Sequence, residues 1–234
     1  MIKSLYDTFK PWSGIGSVYI ISDTHFGDSD CKLMNRDWPD PDTAVAKINS
    51  LVKKDDTLII LGDVGDTEYV KKIRAGYKVL ITGNHDKGAE RYKKNAHLEF
   101  LSASVYSAKK AYAEMKRRYP DLNIEVKEAR DAYRMCIATD GLFDEVYTGP
   151  LVISDKIILS HEPIDLPFFT NIHGHLHGYL FRYQNSYGCT CLNVASDVCC
   201  YEPINLGAEI NNGLLANTKT IHRITIDEQR SKND

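Results

Sequence analysis

Five short apolar runs in the sequence are each followed, directly or after one glycine, by a residue that can bind a metal ion. The runs cover residues 18–22, 57–61, 78–82, 156–160 and 171–173. Each run is too short for a helix and rich in Ile, Val or Leu, which predicts a buried strand. A polar group thus follows the end of every predicted strand. This repeated order of strand and polar group restricts the possible folds more than any other feature of the sequence.

Helical patterns lie between the first predicted strands. Residues 42–53 place four apolar residues on one face, namely Val45, Ile48, Leu51 and Val52. A second helical pattern covers residues 68–75. Further strand-like runs follow at 179–183, 190–194 and 220–226. Alternation of strands and helices is typical of α/β proteins, so the sequence predicts an α/β fold.

The segment from about 93 to 140 departs from this alternation. It looks helical and charged, and its clearest helical pattern covers residues 107–118, shortly before Pro120. We interpret it as a helical insertion or cap and not as a second domain. A length of 234 residues suits one α/β domain. The sequence therefore predicts a single domain over residues 1–234 that carries this insertion.

Charge and hydropathy argue against some classes of protein. The formal net charge of -3 argues against a broad basic surface for nucleic acid, although it is compatible with a local basic groove. The N-terminal residues mix charges into their apolar positions, unlike a signal peptide. The apolar runs are far too short to span a bilayer. We therefore expect a cytoplasmic location and no membrane partner.

The polar groups after the predicted strands are of the residue types that bind metal ions. In an open α/β sheet the ligand crevice lies outside the carboxyl ends of the strands, so these groups are expected at one edge. Two motifs, Asp-x-His and His-x-His, place their ligands two positions apart, where extended backbone points both side chains to one side. The candidate ligands are Asp23, His25, Asp63, Asn84, His161, His175 and His177.

These seven candidate ligands offer oxygen and nitrogen atoms and no thiolate. Such a set favours Mn, Fe, Zn or Co over copper(I) or an iron–sulfur cluster. Seven ligands are too many for one tetrahedral ion and suit two ions that share a carboxylate. Each motif taken alone is also common in turns or at surface histidines. All five motifs in order, each at a strand end, indicate a shared metal site.

The five motifs closely resemble those of the calcineurin-like metallophosphoesterase family. The family order is D-x-H, G-D-x-x-D, G-N-H-[DE], an isolated H, and G-H-x-H. The sequence carries these motifs at residues 23–25, 62–66, 83–86, 161 and 174–177. As an ordered set of five they are highly specific, and the resemblance covers roughly residues 18–206, most of the chain.

The resemblance implies a four-layer αββα sandwich, in which two mixed β-sheets pack face to face with helices outside. It also implies a cofactor of two divalent metal ions, manganese foremost, with Fe, Zn, Co or Ni as alternatives. By the family pattern, Asp63 bridges the two ions. One ion is also held by Asp23, His25 and His177, and the other by Asn84, His161 and His175.

The resemblance further implies catalytic and substrate-binding roles. His85 matches the family's catalytic histidine, and Asp66 matches the acid that orients it. Asn84 also contacts substrate phosphate in the family. Arg36 is a further candidate for phosphate contact, because guanidinium binds phosphate through two hydrogen bonds, and a surface ion pair explains it equally well.

Two departures separate the sequence from the Ser/Thr protein phosphatases. Those enzymes carry Arg-Gly after G-D-x-x-D, where this sequence has Thr67-Glu68. They end the third motif with Glu, where this sequence has Asp86. The sequence therefore resembles the small bacterial or phage-type phosphoesterases more closely, including in its Asn35-Arg36 segment.

The function implied by the resemblance is hydrolysis of phosphomonoesters or phosphodiesters, with nucleotides among the candidate substrates, by attack of a metal-bridging hydroxide. The expected partner is therefore a small phosphate ester. A nuclease is an alternative, in which the segment at about 93–140 clamps DNA or RNA, although nucleic acid is the less favoured partner. A non-catalytic scaffold of the same fold is a third reading. Scaffolds of this kind lose ligands, whereas this sequence keeps every one.

Overall fold

The structure, a computed structural model, describes residues 12, 16–31, 38–87, 92–102, 105–118, 123–129 and 132–219. Arg36 and the predicted strand at 220–226 lie outside these ranges. The chain divides into two units, one formed by Met1–Lys87 and Val146–Asp234 and the other by Gly88–Glu145. The second unit contains the segment that the sequence predicts as an insertion.

Each of the five predicted strands is present, with ends that differ by at most one residue from the prediction. In chain order the elements are β1 (Val18–Ile21), α1 (Pro41–Leu51), β2 (Thr57–Ile60), α2 (Glu68–Lys71), β3 (Tyr77–Ile81), β4 (Lys94–Ser102), α3 (Val105–Arg118), β5 (Asn123–Ala129), β6 (Ala132–Asp140), β7 (Glu145–Tyr147), β8 (Leu151–Val152), β9 (Ile157–Leu159), β10 (Thr170–His173), β11 (Arg182–Gln184), β12 (Thr190–Asn193), β13 (Ile204–Asn205) and α4 (Leu206–Asn211).

The structure contains two five-stranded sheets. The first has the order β13-β1-β2-β3-β7 and the second the order β11-β12-β10-β9-β8. In the first sheet β1, β2 and β3 are parallel and β13 is antiparallel. In the second sheet β9, β10 and β12 are parallel, and β8 and β11 are antiparallel at its edges. Both sheets are therefore mixed, as predicted.

One buried apolar cluster joins the two sheets. Its members alternate along the strands, because successive side chains of a strand point to opposite faces. Ile59 of β2 and Leu61, the residue that directly follows β2, are an example. Both sheets contribute to it, with Ile20, Ile59, Val79 and Ile81 from one and Ile157, Leu159, Ile172 and Leu192 from the other. The sheets thus pack face to face, which confirms the predicted α/β sandwich with flanking helices.

Helix α1 begins where its sequence predicts. The Asp40 carboxylate accepts a hydrogen bond from the Thr43 N–H at 3.0 Å, and Pro41 occupies the first turn, where it loses no helical hydrogen bond. The helix buries Ala44, Val45 and Ile48. It therefore lies with its apolar stripe against the protein core.

Helix α2 is a single turn and ends earlier than the predicted range of 68–75. The Arg74 N–H donates to the Asn49 side-chain oxygen at 2.8 Å, and Asn49 Nδ2 donates to the Lys72 carbonyl at 2.9 Å. These side-chain partners from α1 replace the hydrogen bonds that would have continued the helix.

The segment at 93–140 is not mainly helical, which corrects the prediction of a helical insertion. The second unit contains α3, close to the predicted helix, together with an antiparallel sheet of order β4-β6-β5. Residues 124–127 alternate apolar and charged types as Ile, Glu, Val and Lys. This period of two is the strand signal that the prediction of a helical insertion did not take into account.

The two sheets of the first unit meet where β1 and β12 end. The Ser22 N–H donates to the Val194 carbonyl at 2.8 Å, and the Ser196 N–H donates to the Ser22 carbonyl at 2.9 Å. This parallel bridge places the carboxyl ends of the parallel strands of both sheets along one edge. Among the described residues, no helix has the length and apolar character that a bilayer crossing requires.

Candidate metal centre

The seven candidate ligands follow the parallel strands at this shared edge. The His175 N–H donates to Asp23 Oδ2 at 2.8 Å, although the two residues are 152 positions apart. The strand ends thus bring distant parts of the sequence together. β1 leads into Asp23 and His25, β2 into Asp63, β3 into Asn84, β9 into His161, and β10 into His175 and His177.

Asp23, His25 and His177 form a first cluster, which we call group A. Asp23 Oδ1 lies 3.6 Å from His177 Nε2 and 4.0 Å from His25 Nε2. Ligand atoms held about 2.0–2.2 Å from one ion lie roughly 3–3.6 Å from each other. Group A is therefore a candidate site for a divalent ion, and its donor atoms would need only small movements to reach these distances.

Asp63, His161 and His175 form a second cluster, which we call group B. His161 Nε2 lies 3.4 Å from Asp63 Oδ2 and 3.2 Å from His175 Nδ1. The same nitrogen is 2.9 Å from Oδ1 of Asn84. Group B together with Asn84 thus offers the four donors that the sequence assigns to the second ion.

Asp63, a member of group B, also faces group A. Its Oδ2 atom is 3.7 Å from His25 Nε2 of group A and 3.4 Å from His161 Nε2 of group B. Its Oδ1 atom accepts the His85 N–H at 2.9 Å. One carboxylate oxygen therefore faces both groups, which is the position of a shared ligand.

Two buried atoms of group A support the binding of a cation there. Asp23 Oδ1 and His25 Nε2 are buried without a hydrogen-bond partner among the described residues. Buried polar atoms are almost always hydrogen-bonded, so each such exception needs an explanation. A cation between these atoms would satisfy both, and the oxygen and nitrogen donors suit a divalent ion of the Mn, Fe, Co or Zn type.

The backbone at the ligands is strained. Asp23, His25, Asp63 and His175 have φ values of 53, 38, 51 and 68°. Positive φ is uncommon for residues other than glycine, and such strain persists only where surrounding structure requires it. Four of the predicted ligands share this conformation at strand ends. The surrounding fold must therefore stabilise an unfavourable backbone conformation at these four residues.

Gly174 shows why glycine precedes a ligand in the last motif. A Cβ atom at this position would lie 2.0 Å from Ser22 Oγ and 2.1 Å from Asp23 Oδ2. Both distances are far below contact, and both partners are fully buried. The absence of a side chain at Gly174 therefore allows β10 to approach the Asp23 carboxylate.

Gly174→Ala is expected to displace the Asp23 carboxylate, weaken metal binding, and destabilise the fold by about 1–3 kcal/mol, as overpacked cores do. Gly149→Ala is the matched control, because a Cβ there meets nothing within 4 Å. Thermal unfolding and metal titration of both variants check this expectation. Equal stability and metal affinity for the two variants would contradict it.

Burial and neighbouring charges set the ionisation of the ligands. Burial raises the pKa of Asp23. Burial acts in the same direction on Asp63, but its hydrogen bond to His161 and the neighbouring histidines hold the pKa of Asp63 below its usual value. Burial opposes charge on His161 as well, yet the Asp63 and Asp23 carboxylates raise its pKa from 6.5 to about 9. In the metal-free protein a proton on His161 thus partly neutralises the two acids.

Metal binding to the metal-free protein is expected to strengthen as pH rises from 6.5 to about 9, because an ion must displace the proton from His161. One displaced proton gives about a tenfold gain per pH unit. The same raised pKa stabilises the metal-free fold below pH 6.5, and this contribution is lost as pH rises through about 9. Competition titrations and thermal unfolding at several pH values test both trends, and a flat metal affinity over this range would refute them.

Asp86 is a structural residue that the sequence analysis treated only as a departure from another branch. Its Oδ2 atom accepts the N–H groups of Asp63 and Gly83, each at 2.8 Å, and its Oδ1 accepts the Val64 N–H at 3.1 Å. The Asp86 carboxylate therefore ties the second and third motifs together. Its position at the end of Gly-Asn-His-Asp was the signal that could have indicated this role.

Trp38 is a second residue that sequence reasoning missed. Its ring centroid lies 6.1 Å from the His25 ring, 5.8 Å from His177 and 5.7 Å from Tyr201. Trp38 and Tyr201 are both buried. Trp38 thus packs against two ligands of group A, and Tyr201 packs against Trp38. No local pattern in the sequence distinguishes these two residues from ordinary core aromatics.

The predicted catalytic residues are placed as follows. His85 is exposed, and its ring lies 5.6 Å from that of His25, beside the metal centre. The Asp66 carboxylate accepts the Glu68 N–H at 2.9 Å, and no hydrogen bond among the described residues joins it to His85. The role of Asp66 in orienting His85 therefore stays a prediction, as does that of Arg36, which lies outside the described ranges.

A third cluster of donors contains His25, Asp28 and Cys31. Burial and the surrounding carboxylates raise the pKa of the Cys31 thiol to about 12, so a cation bound here would have to displace the thiol proton. His25 Nδ1 lies 3.4 Å from Asp28 Oδ2, while its Nε2 faces group A. Asp28 thus contacts the outer side of a ligand and is not itself part of a separate site.

The fold and the site together define a class of metal-binding α/β sandwich proteins with their donors at strand ends. The chain belongs to the calcineurin-like phosphoesterase family, whose model matches residues 16–192. All the predicted metal ligands lie within this match.

Two solved structures resemble the chain at low sequence identity. A protein of unknown function from Aquifex aeolicus is 22% identical, with 84% of this chain and 98% of that chain covered and a TM-score of 0.49. The nuclease MPE of Pseudomonas putida is 18% identical, with 76% of this chain and 74% of that chain covered and a TM-score of 0.39. No curated protein matches the chain in sequence.

Proposed function

We propose that this protein hydrolyses small phosphate esters with two divalent ions, one held by group A and one by group B. The position of Asp63 is the observation that carries the proposal. Its Oδ2 atom lies within 3.7 Å of ligand nitrogens from both groups, as a bridging carboxylate must. Family membership supports the class of reaction, since the matching family consists of phosphoesterases.

Different residues around the two ions would have different roles in such a reaction. Two bound ions supply a water of lowered pKa and neutralise charge on the phosphoryl oxygens. Asn84 is exposed at the rim of group B, where its amide can donate to a phosphate oxygen. His85 is exposed on the same loop and can protonate the leaving oxygen as a general acid. The Asp63 carboxylate holds this loop through the His85 N–H.

Two clefts beside the metal centre favour a small substrate. A cleft of about 270 Å³ borders group A and is walled by Trp38 and Tyr201. A cleft of about 320 Å³ borders group B and includes Asn84 and Glu162. The larger cleft is at the lower end of the range for small-molecule pockets, and the smaller cleft is just below that range. A single phosphate ester with a modest organic group suits these volumes.

The charge of the cleft walls also disfavours nucleic acid. Among the described residues, neither wall contains Lys or Arg, whereas both contain carboxylates such as Asp28 and Glu162. A polyanion places several phosphates along its path and needs cations to hold them. A substrate with one phosphate needs only the metal centre, so a phosphomonoester or a small diester fits better.

A metal-reconstituted activity panel tests the proposal. It compares bis-p-nitrophenyl phosphate, p-nitrophenyl phosphate, 2′,3′-cyclic nucleotides and single-stranded nucleic acid, each with Mn(II), Zn(II) or Fe(II). We expect hydrolysis of at least one small ester only after metal addition. Faster, strongly salt-dependent cleavage of nucleic acid would indicate a nuclease instead. Metal-loaded protein that turns over no member of the panel would support the scaffold reading.

A further inference from the structure

Asp197 forms a hydrogen bond with His177, a ligand of group A, on the side of the ring opposite Asp23. The Nδ1–H of His177 donates to Asp197 Oδ1 at 3.0 Å, while His177 Nε2 faces Asp23. The second oxygen of Asp197 accepts the Gly178 N–H at 2.8 Å. The Asp197 side chain is 8% exposed, so its carboxylate is fixed against both the ring and the backbone of the last motif.

The histidines of the two groups differ in what lies behind them. In group A, His177 is backed by Asp197 and His25 Nδ1 lies 3.4 Å from Asp28. In group B, the Nδ1–H of His161 donates to the neutral Leu61 carbonyl at 2.8 Å. A carboxylate behind an imidazole fixes its tautomer and makes it a stronger donor to a metal ion than a carbonyl does.

The two groups also differ in what an entering ion must displace. The unpartnered atoms of the described centre, Asp23 Oδ1 and His25 Nε2, belong to group A. In group B, His161 Nε2 is already 2.9 Å from Asn84 and 3.4 Å from Asp63. An ion in group A therefore replaces no hydrogen bond of these atoms, whereas an ion in group B must break existing contacts.

We infer that Asp197 is a positioning residue that makes group A the tighter of two unequal metal positions, which fills before group B. The inference rests on the proposed two-metal function and adds the order in which the ions bind. Asp197 acts through His177, whose ring it holds with Nε2 toward Asp23. Loss of the Asp197 charge weakens the first binding event and leaves the second nearly unchanged.

Titration of the metal-free full chain with Mn(II), followed by calorimetry and electron paramagnetic resonance, measures both events. Wild-type protein is expected to show an isolated Mn(II) signal first and a spin-coupled pair at higher occupancy. Asp197→Asn keeps the shape and the hydrogen-bond acceptor and is expected to weaken the first event by about 10–100-fold. Asp28→Asn is the matched control, with a smaller effect because its contact is longer and its carboxylate is 36% exposed.

A second variant identifies which position each event reports. His175→Ala removes a group B ligand and is expected to abolish the second event while the first is retained. If Asp197→Asn weakens only the second event, both events equally, or neither, the assignment of Asp197 is wrong while two-metal binding stands. If wild-type protein binds only one ion, the two-metal function itself fails and the ranking fails with it. Thermal unfolding of each metal-free variant separates these outcomes from misfolding.

Discussion

Asp63→Ala is expected to abolish both the metal pair and phosphoester hydrolysis. The Asp63 carboxylate faces ligand nitrogens of both groups, so its removal takes one donor from each ion. It also removes the acceptor of the His85 N–H. Metal ions contribute several kcal/mol of transition-state stabilisation, which corresponds to a loss of about 10³-fold or more in kcat/KM. Metal content after dialysis and the rate on an activated ester measure the two effects.

Asp42→Asn is the matched control for this substitution. The Asp42 carboxylate is 69% exposed, pairs with Lys72 and belongs to neither group A nor group B, so its neutralisation should leave both metal content and rate unchanged. Because Asp63→Ala removes the carboxylate that pairs with His161 and accepts the His85 N–H, the metal-free variant should unfold at a lower temperature than the metal-free wild type. Wild-type turnover in Asp63→Ala would end the two-metal assignment.

His85→Ala is expected to lower kcat by about 10²–10⁴-fold without stripping metal, as the loss of a general acid does. The His85 ring is exposed beside group A, and its own backbone N–H, not its side chain, bonds to Asp63. The substitution therefore leaves the hydrogen bond to the shared carboxylate in place. The loss should be larger for alkyl phosphate esters than for p-nitrophenyl esters, because a good leaving group needs less protonation.

Lys87→Ala provides the comparison within the same loop. Lys87 is exposed, and its N–H donates to the His85 carbonyl at 2.9 Å, a backbone contact that the substitution keeps. Its rate should stay near wild type with both kinds of ester. An equal loss for alkyl and p-nitrophenyl esters in His85→Ala, or a loss of bound metal, would show that His85 does not act as the general acid.

The convergence of the candidate ligands was predictable because its signals are local. A buried strand has a recognisable apolar run, and parallel strands of an α/β sheet end at one edge, so the residue after each run is placed before any packing is known. Asp23, Asp63 and His161 each follow such a run. The structure brings these side chains together at the expected edge, with their donor atoms in two clusters.

The insertion was mispredicted for an equally physical reason. Residues of β5 alternate charged and apolar types, whereas β4 and β6 carry no clear period of two, so two of the three strands have no local signal of their own. β4 and β6 pair across a long sequence separation, with Leu98 opposite Ile137. The periodicity at residues 124–127 indicates strands, but only the antiparallel pairing makes three strands and one helix the preferred arrangement.

Local sequence patterns thus determine the residue types of the candidate ligands, their order and their place at strand ends. Local patterns do not identify the residues that support these ligands. Asp197, Asp86 and Trp38 resemble any loop carboxylate or core aromatic, and their roles depend on atoms that are distant in sequence. Asp197 contacts His177 at 3.0 Å only because the chain after β12 returns to the edge where β10 ends. A hydrogen bond requires an approach of about 3 Å, and tertiary packing alone decides which groups come that close.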